Sequence, residues 1–119
     1  MVLNIEKGIR FYCYSEGIDM RKGINSLYEL IKTDGSYSAV TGDAYVFIGS
    51  TQKSVKILRW HKEGFLLYHK KLEIGKFNIP KNPTDLRFYE LTQSDVDILL
   101  ERIRLRSAPN ELRYATFAN

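Results

Sequence analysis

The residues best suited to chemistry in this sequence are cations and aromatic rings gathered in its central part. Residues 53–81 contain eight basic and two acidic side chains, a net charge of +6, whereas residues 1–52 and 82–119 each carry −1. The same segment contains a tryptophan and several other aromatic rings. Cations neutralise phosphates and rings stack on bases, so this composition is typical of a nucleic-acid surface. With two cations nearer the N-terminus, the candidate DNA-binding residues are Arg21, Lys22, Lys53, Lys56, Arg59, Lys62, Lys70, Lys71 and Lys76.

The same pattern is also compatible with roles that involve no nucleic acid, and the sequence leaves these roles open. The aromatic residues can belong to the core of a strand pair while the lysines are merely solvated, and lysines also protect sheet edges against aggregation. Lys70 and Lys71 are adjacent on a predicted strand and therefore point to opposite faces. A further hypothesis is a protein interface, for which the candidate residues are Trp60, Phe65 and Tyr68.

Catalytic and metal-binding motifs are missing from the sequence. No phosphate-binding loop, nucleophile elbow or zinc-protease motif occurs. Cys13 is the single cysteine and lies in an aromatic run, which predicts a buried and inert thiol. His61 and His69 have no third ligand close by in the sequence. We therefore predict no catalytic residue, no metal site and no cofactor.

Length and composition predict one globular domain over residues 1–119. The chain is 44% hydrophobic and 27% charged, which is ordinary for a folded protein and excludes a disordered one. The N-terminus does not resemble a signal peptide, and no apolar run is long enough to cross a membrane. These features predict a bacterial protein of the cytoplasm. We expect the tail, about residues 107–119, to be loosely ordered.

Hydrophobic periodicity and turn residues divide the chain into strands and two helices. Asp19 is expected to cap the first helix, and Thr92 the second, with Asp95 in its first turn. The predicted strands are residues 9–14, 45–48, 55–60, 65–72 and 86–91. Short connections between the middle three strands favour an antiparallel meander. The predicted fold is α+β, with an antiparallel sheet of four to five strands, one early helix and one late helix.

Several strings in the sequence, in order, carry a family resemblance. They are residues 19–23 (Asp-Met-Arg-Lys-Gly) with Leu27, Gly42-Asp43 with Val46-Phe47, residues 56–60, 63–67 and 70–77 with Pro80, Leu91-Thr92, and residues 99–101. Together they resemble the accessory protein TnpB, the second open reading frame, of the insertion-sequence-66 family of transposable elements. The similarity spans roughly residues 18–101.

This resemblance implies a small non-catalytic protein that acts in transposition beside a larger DDE-type transposase. The implied partners are DNA, the transposase and another element-encoded accessory protein. No catalytic residue carries over from the family. The matching strings carry over only as a candidate functional surface.

Overall fold

The computed structural model describes residues 8–34 and 37–103. Within these ranges the chain forms five strands and two helices. In chain order they are β1 (Phe11–Tyr14), α1 (Ile24–Asp34), β2 (Ala44–Ile48), β3 (Ser54–His61), β4 (Gly64–Lys71), β5 (Phe88–Glu90) and α2 (Gln93–Ile103). The predicted tail, residues 107–119, lies outside the described residues.

The strands form one sheet in the order β4-β3-β2-β1-β5. The predicted meander is confirmed, because β2 pairs antiparallel with β3 and β3 with β4. β5 is also antiparallel to β1, but β1 and β2 are parallel. A parallel pair needs a long crossover, and α1 supplies it between these two strands. The prediction of an α+β fold with an early and a late helix is confirmed, with a sheet that is mixed and mostly antiparallel.

The two helices cover opposite faces of the sheet. Leu27 and Ile31 of α1 belong to one apolar cluster, and Val96 and Leu99 of α2 belong to the other. Successive residues of a strand point to opposite faces, so each central strand contributes to both clusters. This is why the central strands do not alternate clearly between apolar and polar residues. The sheet is buried on both sides.

Local sequence explains where the elements begin and turn. Thr92 caps α2 as predicted, since its hydroxyl accepts a hydrogen bond from the Asp95 amide at 3.1 Å. Lys62 and Glu63 both have positive φ, 44° and 70°, which is the backbone of a tight hairpin turn between β3 and β4. The prediction for Asp19 was wrong. It closes a turn through a 2.9 Å hydrogen bond from the Arg21 amide, and α1 begins at Ile24.

Candidate functional site

Lys56, one of the candidate DNA-binding cations, is buried on the face of β3 that α1 covers. Its side chain is 6% exposed, and its Nζ donates to the carbonyl oxygens of Met20 and Lys22, both at 2.7 Å. Burial lowers the pKa of the Lys56 ammonium, and the Asp19 carboxylate opposes that shift. The ammonium holds the turn before α1 in place, which corrects its assignment as a phosphate ligand.

Arg59 is buried on the other face of β3, and it also binds backbone. The residue is 4% exposed, and its Nε donates to the Gly42 carbonyl oxygen at 2.9 Å. This hydrogen bond fixes the loop that leads into β2. Its burial therefore corrects the prediction that Arg59 contacts phosphate. Lys56 and Arg59 lie in the family-like string at residues 56–60, and each binds a backbone carbonyl of another such string. Lys56 binds within residues 19–23, and Arg59 binds Gly42.

Arg21 is exposed but is paired within its own turn. Its Nη2 lies 2.6 Å from Asp19 Oδ2, and its Nε donates to the same carboxylate. Hydrogen bonding from Arg21 lowers the pKa of Asp19 to about 2, so the carboxylate is ionised at neutral pH. The cation is thus largely neutralised locally. Lys22, the next residue, is half-buried and belongs to the same turn.

Lys53 and Lys71 meet where β3 begins and β4 ends. Ser54 pairs with Lys71 in the sheet register. The carbonyl oxygen of Lys53 accepts a hydrogen bond from the Leu72 amide at 2.7 Å. Both lysine side chains are exposed. This end of the sheet therefore presents cations from two adjacent strands to solvent.

The last turn of α2 adds further cations at the same place. Arg102 Nη2 donates to the Lys76 carbonyl oxygen at 3.1 Å, and Lys70 Nζ donates to the Arg102 carbonyl oxygen at 3.2 Å. The Arg102 guanidinium also lies 6.0 Å from the centre of the Phe77 ring. We refer to this surface as the basic end of the sheet. It consists of Lys53, Lys70, Lys71, Lys76 and Arg102, and the successive residues Lys70 and Lys71 of β4 point to opposite faces of the sheet there.

Lys62 is separated from the basic end by the length of the hairpin. It occupies the turn between β3 and β4, at the opposite end of both strands. β4 contains eight residues. At about 3.3 Å per residue, its ends lie roughly 25 Å apart. The nine predicted cations thus divide into four at one end of the sheet, two buried anchors, the locally paired Arg21 with its neighbour Lys22, and the distant Lys62.

The three residues predicted to form a protein interface occupy different environments. Trp60 and Phe65 are half-buried, and their ring centres lie 5.0 Å apart, edge to face. Phe65 also lies 5.4 Å from the ring of Tyr28 on α1. Tyr68 is 1% exposed, and its hydroxyl donates to the Ile103 carbonyl oxygen at 3.4 Å. Tyr68 is a core residue, which corrects its assignment as a surface contact.

Two residues of this region were not among the predicted site residues. Arg102 could not be placed beside Lys76 from the sequence, because its contact with the Lys76 carbonyl oxygen joins residues 26 apart. Ile74, in the loop after β4, is 88% exposed. An isoleucine between an acidic residue, Glu73, and the turn residue Gly75 was the available signal for it.

The described ranges contain no group of three or more His, Cys, Asp or Glu residues placed to hold a metal ion. Cys13 is fully buried, and burial raises the pKa of its thiol to about 11. No helix in the same ranges is long and apolar enough to cross a membrane.

Comparison with known proteins gives a family match and a relative. A model of the protein family described as "IS66 Orf2 like protein" matches residues 9–110. An uncharacterized protein, y4jC, of Sinorhizobium fredii (strain NBRC 101917 / NGR234) is 30% identical to this chain over 74 residues. Those residues are 62% of this chain and 63% of the relative, so the similarity covers less than two thirds of the relative's length. No solved structure matches the chain.

Proposed function

This chain belongs to the IS66 Orf2-like family of transposition accessory proteins, and from that premise we propose that it binds DNA through phosphate contacts at the basic end of the sheet. It does so as a non-catalytic partner of a DDE-type transposase, in the cytoplasm. The family match confirms the resemblance seen in the sequence.

The observation that supports DNA binding is that several exposed cations belong to segments brought together at the basic end. Lys53, Lys71 and Lys76 are all exposed and come from segments joined by backbone hydrogen bonds. Glu73 is the one acidic residue between Lys71 and Lys76. Such a surface attracts the phosphates of DNA of any sequence, because a charge contact does not need the base edges.

The test measures affinity for duplex DNA at several salt concentrations. The double variant Lys71→Gln, Lys76→Gln is compared with Lys32→Gln, Lys62→Gln, which removes the same charge elsewhere. Each lost phosphate contact lowers the slope of log K against log salt by about 0.9, so we expect a loss of about 1.8 in the first variant and none in the control. Equal slopes in both variants, or an affinity of the wild type that does not change with salt, would refute the proposal.

A second candidate function is docking onto the transposase or another element-encoded accessory protein. The observation that favours it is the half-exposed pair of Trp60 and Phe65 beside Tyr28. Aromatic residues are enriched at the energetic centres of protein interfaces. We expect Trp60→Ala to weaken co-purification with the transposase after nuclease treatment, whereas Lys62→Ala retains it. Association that Trp60→Ala leaves unchanged would contradict this candidate.

A further inference from the structure

Ile74 is an apolar side chain held almost entirely in solvent. It is 88% exposed, against 58% for Ile79, the next most exposed of the large apolar residues in the described ranges. Exposure of an isolated apolar residue is ordinary, so Ile74 is informative only through its place beside the cations of the basic end. Neither apolar cluster of the core includes it.

The loop that carries Ile74 is fixed on both sides. Before it, the Leu72 amide donates to the Lys53 carbonyl oxygen at 2.7 Å, and after it the Phe77 amide donates to the Gln52 carbonyl oxygen at 2.7 Å. Arg102 binds the carbonyl oxygen that precedes Phe77, at 3.1 Å. Because these bonds tie the loop to the sheet and to α2, Ile74 cannot easily turn inward to bury its side chain.

Gly75 adds a second constraint directly after Ile74. Its φ is +80°, a left-handed conformation that favours glycine. A Cβ at this position would lie 3.1 Å from Arg102 Nη2. The backbone at Gly75 therefore lies close to the Arg102 guanidinium. Ile74 directly precedes it in the middle of the loop, and we refer to Ile74 below as the tip.

The charges around the tip indicate what it contacts. Lys71 and Lys76 flank the loop in the sequence, and the backbone carbonyl of Lys53 accepts a hydrogen bond from its first residue. Glu73, directly before Ile74, is the one acidic residue among them, so the cations outnumber it. An apolar tip between cations is complementary to a ligand that has negative charges on either side of an apolar interior. Duplex DNA has this arrangement, with phosphates outside stacked bases. One apolar side chain is too little buried area for stable attachment to a membrane.

We propose that Ile74 is a wedge that inserts between adjacent base pairs and kinks the DNA, while Lys53, Lys71 and Lys76 hold the flanking phosphates. This inference rests on the proposed DNA-binding function. Proteins that insert apolar side chains between base steps from the minor groove bend the duplex by about 20–90°. The protein then acts in transposition as a factor that shapes DNA with little base readout.

The test uses the full chain with a short duplex labelled at both ends for energy transfer, alongside a duplex that contains the fluorescent base 2-aminopurine. We expect the wild type to shorten the end-to-end distance and to increase 2-aminopurine fluorescence through unstacking. Ile74→Ala is expected to lose most of both signals, with a several-fold weaker affinity and an unchanged salt slope. Ile74→Phe, which keeps an apolar wedge, is expected to retain the bend. Leu86→Ala is the matched control, because Leu86 is 50% exposed next to β5, at the opposite edge of the sheet.

The possible outcomes separate this inference from the proposed function. Salt-dependent binding to DNA that stays straight, or equal bending by the wild type and Ile74→Ala, overturns the wedge and leaves phosphate binding intact. If the wild type does not bind DNA, both fail. Loss of transposase association in Ile74→Ala after nuclease treatment, without any DNA bending, would instead place this residue in a protein pocket. Circular dichroism melting of each variant excludes unfolding as the cause.

Discussion

Replacement of Lys56 by methionine tests whether a conspicuous lysine of the basic segment is a structural anchor or a DNA ligand. Methionine retains most of the aliphatic stem and removes the ammonium group. The two hydrogen bonds to Met20 and Lys22, each 2.7 Å long, are then lost. The structure predicts that this variant loses stability while its interaction with DNA keeps the same salt dependence.

The magnitude follows from the contacts. A hydrogen bond to a charged group contributes about 1.5–3 kcal/mol. The net loss is smaller than the sum of the two bonds, because removal of the ammonium also relieves the cost of its burial. We expect a loss of about 2–3 kcal/mol in the free energy of unfolding. With an unfolding entropy of about 2.1 cal/mol/K per residue over 119 residues, the melting temperature falls by about 8–12 °C.

Urea unfolding followed by circular dichroism measures the stability, and the matched control is Lys53→Met. Lys53 is exposed three residues earlier on the chain, so its replacement is expected to change stability by less than about 0.5 kcal/mol. DNA titrations at several salt concentrations complete the test. A Lys56→Met protein that is as stable as the wild type, with a salt slope reduced by about 0.9, would refute the anchoring role.

Three other changes test local features of the structure. Burial and the nearby Lys56 cation lower the pKa of His69 below its ordinary value, so the unfolded chain binds this proton more readily. The stability that neutral His69 contributes is therefore complete above about pH 6.5 and declines as the pH falls toward the folded pKa. Urea unfolding at pH 7.5 and 5.5 should show a smaller change in stability with pH in His69→Gln than in the wild type. An equal change in the two proteins would contradict this reasoning. Gly75→Ala is expected to cost about 1–2 kcal/mol because alanine resists a left-handed backbone; a loss near zero in the same assay would mean that the loop relaxes. Thr92→Ala removes the cap of α2 and should cost about 1 kcal/mol in urea unfolding, whereas Ser94→Ala, which removes a hydroxyl in the first turn, is the control and should cost less.

Much of the fold is present in local sequence patterns. The hairpin between β3 and β4 was predictable because two apolar runs are separated by a short polar turn that ends in Gly64. The cap at Thr92 was predictable because its hydroxyl and the Asp95 amide are three residues apart. The parallel pairing of β1 with β2 was missed, although a helix between two strands is the connection that parallel strands require. The start of α1 was misplaced because Asp19 has a capping residue's chemistry but uses it on the adjacent turn and Arg21.

The sequence by itself determined the order of the elements, the basic character of residues 53–81 and the family to which the chain belongs. Only the tertiary structure decided which of those cations face solvent. The period of a strand shows that Lys56 and Arg59 point to opposite faces, but it does not show what covers each face. Lys56 binds carbonyl groups 34 and 36 residues away, and Arg59 binds one 17 residues away. Such contacts depend on how distant segments pack together, so a count of charges assigns the same role to a buried anchor and an exposed phosphate ligand.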